Sequence, residues 1–307
     1  MKSIGLPRLL LTAALCAAVH VPALARVTSG FTAGADGVVL HYRAVGSSDA
    51  PHTILFVPGW RVSSYIWTKQ FEHFTEAGYR VIAIDSRSQG GSTVRQSHNA
   101  PEDRAADIRQ VIAGLHLTHL VLVGWSQGVQ DVAAYVKRFG DGAVNGLVLI
   151  DSPLSGGPED VSENPGLIKA IVRGMSSYAA DPRAYSDGMM HAIISTPTAA
   201  TVYAKLTEES MKTPPDVGLA MQAQDLLTTD RRSALAACNK PVLVVASAKN
   251  PLLDQVRRMA AALPHAETVV IDQAEHAVFF DQPEEFNSRL EAFVNRLGSS
   301  GQAAGLR

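Results

Sequence analysis

Alternation constrains this chain most: short apolar runs are followed by stretches whose apolar residues recur at helical spacing. The runs fall at residues 38–44, 53–57, 80–84, 120–123, 146–150, 241–246 and 267–271, and the helical stretches at 64–77, 102–115, 127–139, 254–263 and 283–297. The later runs are unbroken Val, Ile and Leu, the pattern of strands covered on both faces. Strand–helix–strand repetition requires crossovers, and right-handed crossovers place helices on both faces of a parallel sheet. The predicted class is α/β, a mostly parallel sheet of about eight strands flanked by helices.

The alternation stops between 152 and 237. That stretch holds Pro and Gly breaks, several helical pieces and Met175, Met189, Met190, Met211 and Met221, with no strand pattern. It is predicted to be a helical cap inserted after the sixth strand, leaving 26–151 and 238–298 as the core. Its methionines can line a pocket, since thioethers fit irregular apolar shapes, or serve as core within the insertion. Residues 299–307 are small and polar and read as a flexible tail.

Residues 1–25 carry a positive end (Lys2, Arg8), an apolar stretch (9–19) and the small-residue site Ala23-Leu24-Ala25. This is the pattern of a cleaved signal peptide, with an apolar stretch too short to span a bilayer. The expected location is therefore export, periplasmic or secreted, with no membrane span in the mature chain. Cleavage removes Cys16 and leaves Cys238 alone, so no internal disulfide can form. Hydrophobic residues make up 46% and charged residues 18%, an ordinary balance for a chain with a large core. A net charge of −2 and no Lys/Arg run longer than two give no field for nucleic acid.

The local signal that carries chemistry is Gly124-Trp125-Ser126-Gln127-Gly128, between the strand at 120–123 and the helix at 127–139. G-x-S-x-G has meaning in that setting: the serine sits on a sharp, strained turn and projects above the sheet. The helix start also aims the Gln127 amide at negative charge on a carbonyl oxygen. A serine hydroxyl needs a base. His276, in the loop between the last strand and the final helix, is the candidate. The other mature histidines, His41 among them, lack such a position. His116 and His119 have helix-like spacing but no carboxylate or Cys companion, so no metal site is predicted.

Phe56-Val57-Pro58-Gly59-Trp60, Ile66-Trp67, residues 77–83, Asp85-Ser86-Arg87, the Ser126 motif and the His276 segment, in that order, resemble the α/β-hydrolase family. They are most similar to its non-haem haloperoxidase-like serine esterases. The resemblance covers about 38–150 and 240–297 and excludes the cap. It implies that the Trp60 backbone N–H is the second oxyanion donor and that no cofactor is needed. The turn Asp85-Ser86-Arg87-Ser88-Gln89-Gly90-Gly91-Ser92 is similar to the family's Asp-x-Arg-Gly-x-Gly-x-Ser turn, with Ser88 in place of a glycine. Asp85 and Arg87 are expected to stabilise it as a pair.

The third triad member departs from the family pattern. The resemblance places an acid just after the seventh strand, where this chain has Asn250. A neutral amide does not stabilise an imidazolium, and an Asp-to-Asn change in this role cost a serine protease about 10⁴ in rate. Some members, haloalkane dehalogenases among them, carry the acid after the sixth strand, and there this chain has Asp151. Asp254, four residues past Asn250, is a second alternative whose plain reading is a helix N-cap. A dyad with Asn250 orienting the imidazole is a third.

Three functions follow as expectations. One is hydrolysis of a small to medium carboxylic ester or lactone through acyl-Ser126. A related one is cofactor-free perhydrolysis, in which peroxide replaces water. The third is a catalytically weak, secreted binding protein that has lost its acid. Dehalogenation is disfavoured, because it needs a carboxylate where Ser126 stands.

Overall fold

The computed structural model describes residues 26–304. The predicted signal segment, Cys16 included, lies outside the described residues, as do 305–307.

The chain opens with β1 (Thr28–Ala33), β2 (Val39–Val45) and β3 (Thr53–Val57). A 3-10 turn, Ser64–Trp67, leads into α1 (Thr68–Glu76), followed by β4 (Arg80–Ile84), α2 (Pro101–Gly114), β5 (Leu120–Trp125), α3 (Gln127–Phe139) and β6 (Gly146–Ile150). Five helices form the insertion: α4 (Pro158–Glu163), α5 (Pro165–Ala180), α6 (Pro182–Ile193), α7 (Ala200–Ser210) and α8 (Pro215–Leu227). The core resumes with β7 (Val242–Ser247), α9 (Leu253–Ala261), β8 (Ala266–Ile271), the short α10 (Val278–Asp281) and α11 (Pro283–Ala304). Helix α11 continues past Gly298, so residues 299–304 are helical where sequence reading places a tail.

The strands form one sheet in the order β1-β2-β4-β3-β5-β6-β7-β8. β2 pairs antiparallel with β1 and β4, and every other pairing is parallel. β3, β5, β6 and β7 are buried throughout. Period-2 alternation sends their side chains to two cores. Leu55, Val57, Leu122 and Leu147 join one with Ile108, Val132 and Val256 from α2, α3 and α9. Phe56, Val123 and Val148 join the other with Phe71 and Phe293 from α1 and α11. β1 has no such signal: its residues alternate between exposed and half-buried at the sheet's edge, and sequence reading misses it.

Proline stands at the first position of α4, α5, α6 and α8, where its missing N–H costs no helical hydrogen bond. The Pro breaks that separate the insertion from the strand pattern thus start its helices, and no strand occurs between β6 and β7. The methionines divide: Met190 and Met221 are buried as core, while Met189 lines the cavity beside Ser126.

The turn after β4 corrects one expectation. Asp85 and Arg87 stabilise it through separate partners and not as a pair. Asp85 accepts from the backbone N–H of Ser64 (2.6 Å) and Gly91 (2.8 Å) and meets His41 Nδ1 at 2.8 Å. Arg87 donates two hydrogen bonds to Asp107 on α2 (2.6 and 2.7 Å) and one to His98 O (2.7 Å).

Candidate active site

Ser126 joins β5 to α3 at φ 56° and ψ −116°, a region that side chains other than glycine occupy only at a cost. Its N–H is held by Ile150 O at 3.0 Å. Flanking glycines let α3 settle onto the strand ends. A Cβ at Gly124 would come within 2.3 Å of Gly128 O, and one at Gly128 within 2.6 Å of Val57 O. Gly59 faces Ser126, where a Cβ would stand 3.1 Å from the Ser126 Cβ.

His276 arrives from the loop after β8, one-third exposed. Trp125, the residue before the serine, donates Nε1–H to His276 O at 3.0 Å, and its indole lies tilted at 44° to the imidazole, 5.2 Å away. Asp281 in α10 holds the same loop: its carboxylate accepts from Glu275 N (2.8 Å) and from Ser195 N and Oγ (2.9 and 2.8 Å) at the end of the cap's α6. Burial pushes the Asp281 carboxyl up, but these hydrogen bonds outweigh it and keep it below its ordinary value.

Asp151 ends β6 with its side chain only 1% exposed. Its Oδ2 lies 2.8 Å from His276 Nδ1. Its Oδ1 accepts from Ser247 N (2.7 Å) and from the Asn250 amide (2.8 Å), and Asn250 also donates to Asp151 O (3.0 Å). An ionised carboxylate only accepts, so Nδ1 carries the imidazole proton and Nε2 is left as the acceptor. Asn250 thus supports the carboxylate from the position where the resemblance led an acid to be expected. Its Oδ1 accepts from Leu252 N at 2.7 Å, which fixes the direction of the amide. Asp254 is not brought to the site. Its side chain is 84% exposed in the first turn of α9 and pairs with Arg257 at 3.7 Å.

Ser126, His276, Trp60 and Gln127 line one cavity of about 230 Å³. Gln127 is the first residue of α3, where a helix leaves its amides without intrahelical partners. The cavity has an apolar side with Val62, Tyr185, Met189 and Ile193, and a polar side with Gln130, Gln222 and Asp225. Asp225, from the cap, was not legible as a site residue. The Gln127 side-chain amide donates to Asp225 Oδ2, while Arg104 reaches Asp225 Oδ1 at 2.5 Å and Asp131 Oδ1 at 2.8 Å. Two buried carboxylates around one guanidinium do not ionise freely. Burial pushes Asp131 up to about 7 and also raises Asp225, against the pull of Arg104 on both.

Arg61, next to Trp60, has φ 58° and is buried. Its guanidinium lies 3.8 Å from the Tyr178 ring centre and donates to Ser186 Oγ at 2.5 Å, and the Trp60 indole donates to Gly218 O at 2.8 Å. The strand-end loop is thereby pinned to α5, α6 and α8. Burial holds the Arg61 guanidinium down at about 10, with Tyr178 and Tyr185 opposing the shift. Among the described residues no group of three His, Cys, Asp or Glu side chains could hold a metal, and no helix is long and apolar enough to cross a membrane.

The strained Ser126 turn between strand and helix, the sheet order and an imidazole held by a buried carboxylate define an α/β hydrolase. The model of the alpha/beta hydrolase family matches residues 54–289, and the chain belongs to that family. It is 35% identical over 161 residues to a non-heme haloperoxidase of Rhodococcus erythropolis, covering 49% of this chain and 57% of that one. It is 37% identical over 123 residues to the bifunctional esterase/perhydrolase DCH of Acinetobacter calcoaceticus, covering 40% of this chain and 44% of that one. The chain thus spans about half the length of these two curated relatives. An esterase from Exiguobacterium antarcticum superposes with a TM-score of 0.77 at 19% identity, covering 86% of this chain and 98% of that one. A bromoperoxidase from Bacillus anthracis superposes with a TM-score of 0.76 at 20% identity, covering 87% and 100%. The last two likenesses are of fold.

Proposed function

We propose that this protein is an exported serine hydrolase that cleaves small to medium carboxylic esters or lactones through an acyl-Ser126 intermediate. The observation that carries the reading is the 2.8 Å approach of buried Asp151 Oδ2 to Nδ1 of His276, which lines one cavity with Ser126. His276 Nε2 takes the proton as Ser126 Oγ attacks the carbonyl, and Asp151 stabilises the imidazolium. The Trp60 and Gln127 amides hold the oxyanion, each worth roughly 10²–10³ in rate. The proton leaves with the alcohol, and water attacks the acyl-enzyme with the imidazole again as base.

A fluorophosphonate probe tests the nucleophile. Wild type is expected to label stoichiometrically at Ser126, as mapped by peptide mass spectrometry, and Ser126→Ala to lose that modification. Failure of the wild type to label would favour a binding protein without turnover. Asn250 is the feature that favoured such a reading, and its hydrogen bonds to Asp151 weaken that ground. A screen of p-nitrophenyl esters of graded chain length, with lactones in parallel, defines the substrate. Perhydrolysis is the second reading, favoured by the haloperoxidase and esterase/perhydrolase relatives. Peracid formation from acetate and peroxide, followed as bromide oxidation, separates it. Export is tested by fractionation of cells expressing the full chain, with N-terminal sequencing expected to begin at Arg26.

A further inference from the structure

A second Ser–His–Asp chain lies at the other end of the sheet, in a cavity sharing no lining residue with the first. Ser29 Oγ, on the exposed edge strand β1, is 2.6 Å from His41 Nε2 on β2. His41 Nδ1 is 2.8 Å from Asp85 Oδ2, a carboxylate buried behind it. Sequence position alone gave His41 no role, because its partners come from twelve residues before it and forty-four after it.

The ring is restrained on both sides. Phe31 meets it edge-on at 5.4 Å, and a Cβ at Gly91 would come within 3.0 Å of His41 Cγ. The His41 backbone N–H is held by Ser92 Oγ at 2.9 Å. Burial raises the Asp85 carboxyl, but the His41, Gly91 and Ser64 hydrogen bonds win and keep it below the ordinary value, so it stays an acceptor. Nδ1 therefore bears the proton and Nε2 accepts the Ser29 hydroxyl, the relation by which a base activates serine. Arg43, Lys205 and Lys212 line the same open cavity of about 430 Å³ together with Glu209, whose carboxylate pairs with Lys205 at 2.6 Å and Lys212 at 2.8 Å.

We infer that Ser29 is a second activated nucleophile, able to take an acyl group from a small activated ester independently of Ser126. The Ser29 Oγ–acyl bond forms as the proton passes to His41 Nε2. The bond to the leaving alkoxide breaks, and that oxygen receives the proton. Water later releases the acid by the reverse relay. The leaving group of an activated ester departs more readily than the Ser29 alkoxide, so acylation outpaces release and the acyl-Ser29 form accumulates.

The test treats the full chain with p-nitrophenyl acetate and maps acetyl groups by peptide mass spectrometry, in wild type and in Ser126→Ala. Ser29 is expected to be acetylated in both. Ser162, an exposed serine bonded to Glu159 O, serves as the internal reference within each sample. His41→Gln is expected to lower Ser29 acetylation by about 10²-fold or more, the range general-base assistance supplies. Ser29→Ala is expected to keep the turnover that depends on Ser126. Ser29 acetylation no faster than that of Ser162 in wild type would overturn the inference, and so would acetylation at Ser29 indifferent to His41→Gln in a folded variant. Because the two serines are mapped separately, an inert Ser126 and an inert Ser29 give different spectra.

Discussion

Asn250 donates its amide to the side-chain Oδ1 and the main-chain O of Asp151, leaving Oδ2 of that carboxylate for His276. Asp151 and Asn250 thus follow the ends of neighbouring parallel strands, β6 and β7. Asp151→Asn is expected to lower kcat for a p-nitrophenyl ester by about 10⁴, since an amide at this place does not stabilise the imidazolium. Asn250→Ala is expected to cost roughly tenfold, one hydrogen bond to a charged group. Asp254→Asn is expected to leave kcat unchanged. The reverse ranking of Asp151 and Asp254, in variants with native circular dichroism, would overturn the assignment of the acid.

Backbone strain at Ser126 predicts a stability difference. At φ 56° and ψ −116°, alanine keeps the cost that serine bears and glycine escapes it. Ser126→Gly is expected to be more stable than Ser126→Ala by roughly 1 kcal/mol in urea denaturation. Equal midpoints and slopes for the two would remove strain from the account of this turn.

Trp125 offers a test of the base's support. Trp125→Phe deletes the donor to His276 O and keeps most of the ring. A loss of about 1 kcal/mol in stability is expected, together with a fall of about tenfold in kcat at nearly constant KM. An unchanged kcat would mean that the base loop is held well enough by Asp281.

Asp131 makes the pH dependence of stability specific. Its carboxyl is raised to about 7 in the fold, chiefly by burial, so between about pH 4 and 7 the folded chain binds the proton that the unfolded chain has released. This group's contribution is complete below about pH 4 and is lost as pH rises through 7. Urea midpoints of wild type are expected to fall from pH 5 to pH 8 by more than those of Asp131→Asn. Asp85 and Asp281 are held low and lose their contributions only in stronger acid, outside that window.

How much was legible follows from how local each signal is. The boundaries of β3, β4, β6 and α3 match those read from the sequence, because apolar runs and the glycine-flanked turn are contiguous features. Ser126 and His276 line one cavity for the same reason: each is fixed by the strand before it. Asp151 was legible only as the preferred one of two carboxylates, since choosing between it and Asp254 requires knowing which strand end faces the imidazole. β1 escaped notice because an exposed edge strand needs no apolar run. The partner of Arg87 is Asp107, twenty residues on and on a helix, and no spacing rule picks it out. Asp225 and Arg61 were invisible as site residues, because their roles depend on how the cap helices fold back over the strand ends.

Asp151 is also the last core residue before the insertion begins at 152, so the roof over the cavity is suspended from the carboxylate that orients the imidazole. A guest that shifts the roof pulls on the same backbone that holds Asp151 N to Val245 O at 2.8 Å. In this architecture whatever fills the cavity bears on the same strand end that sets Asp151 beside His276.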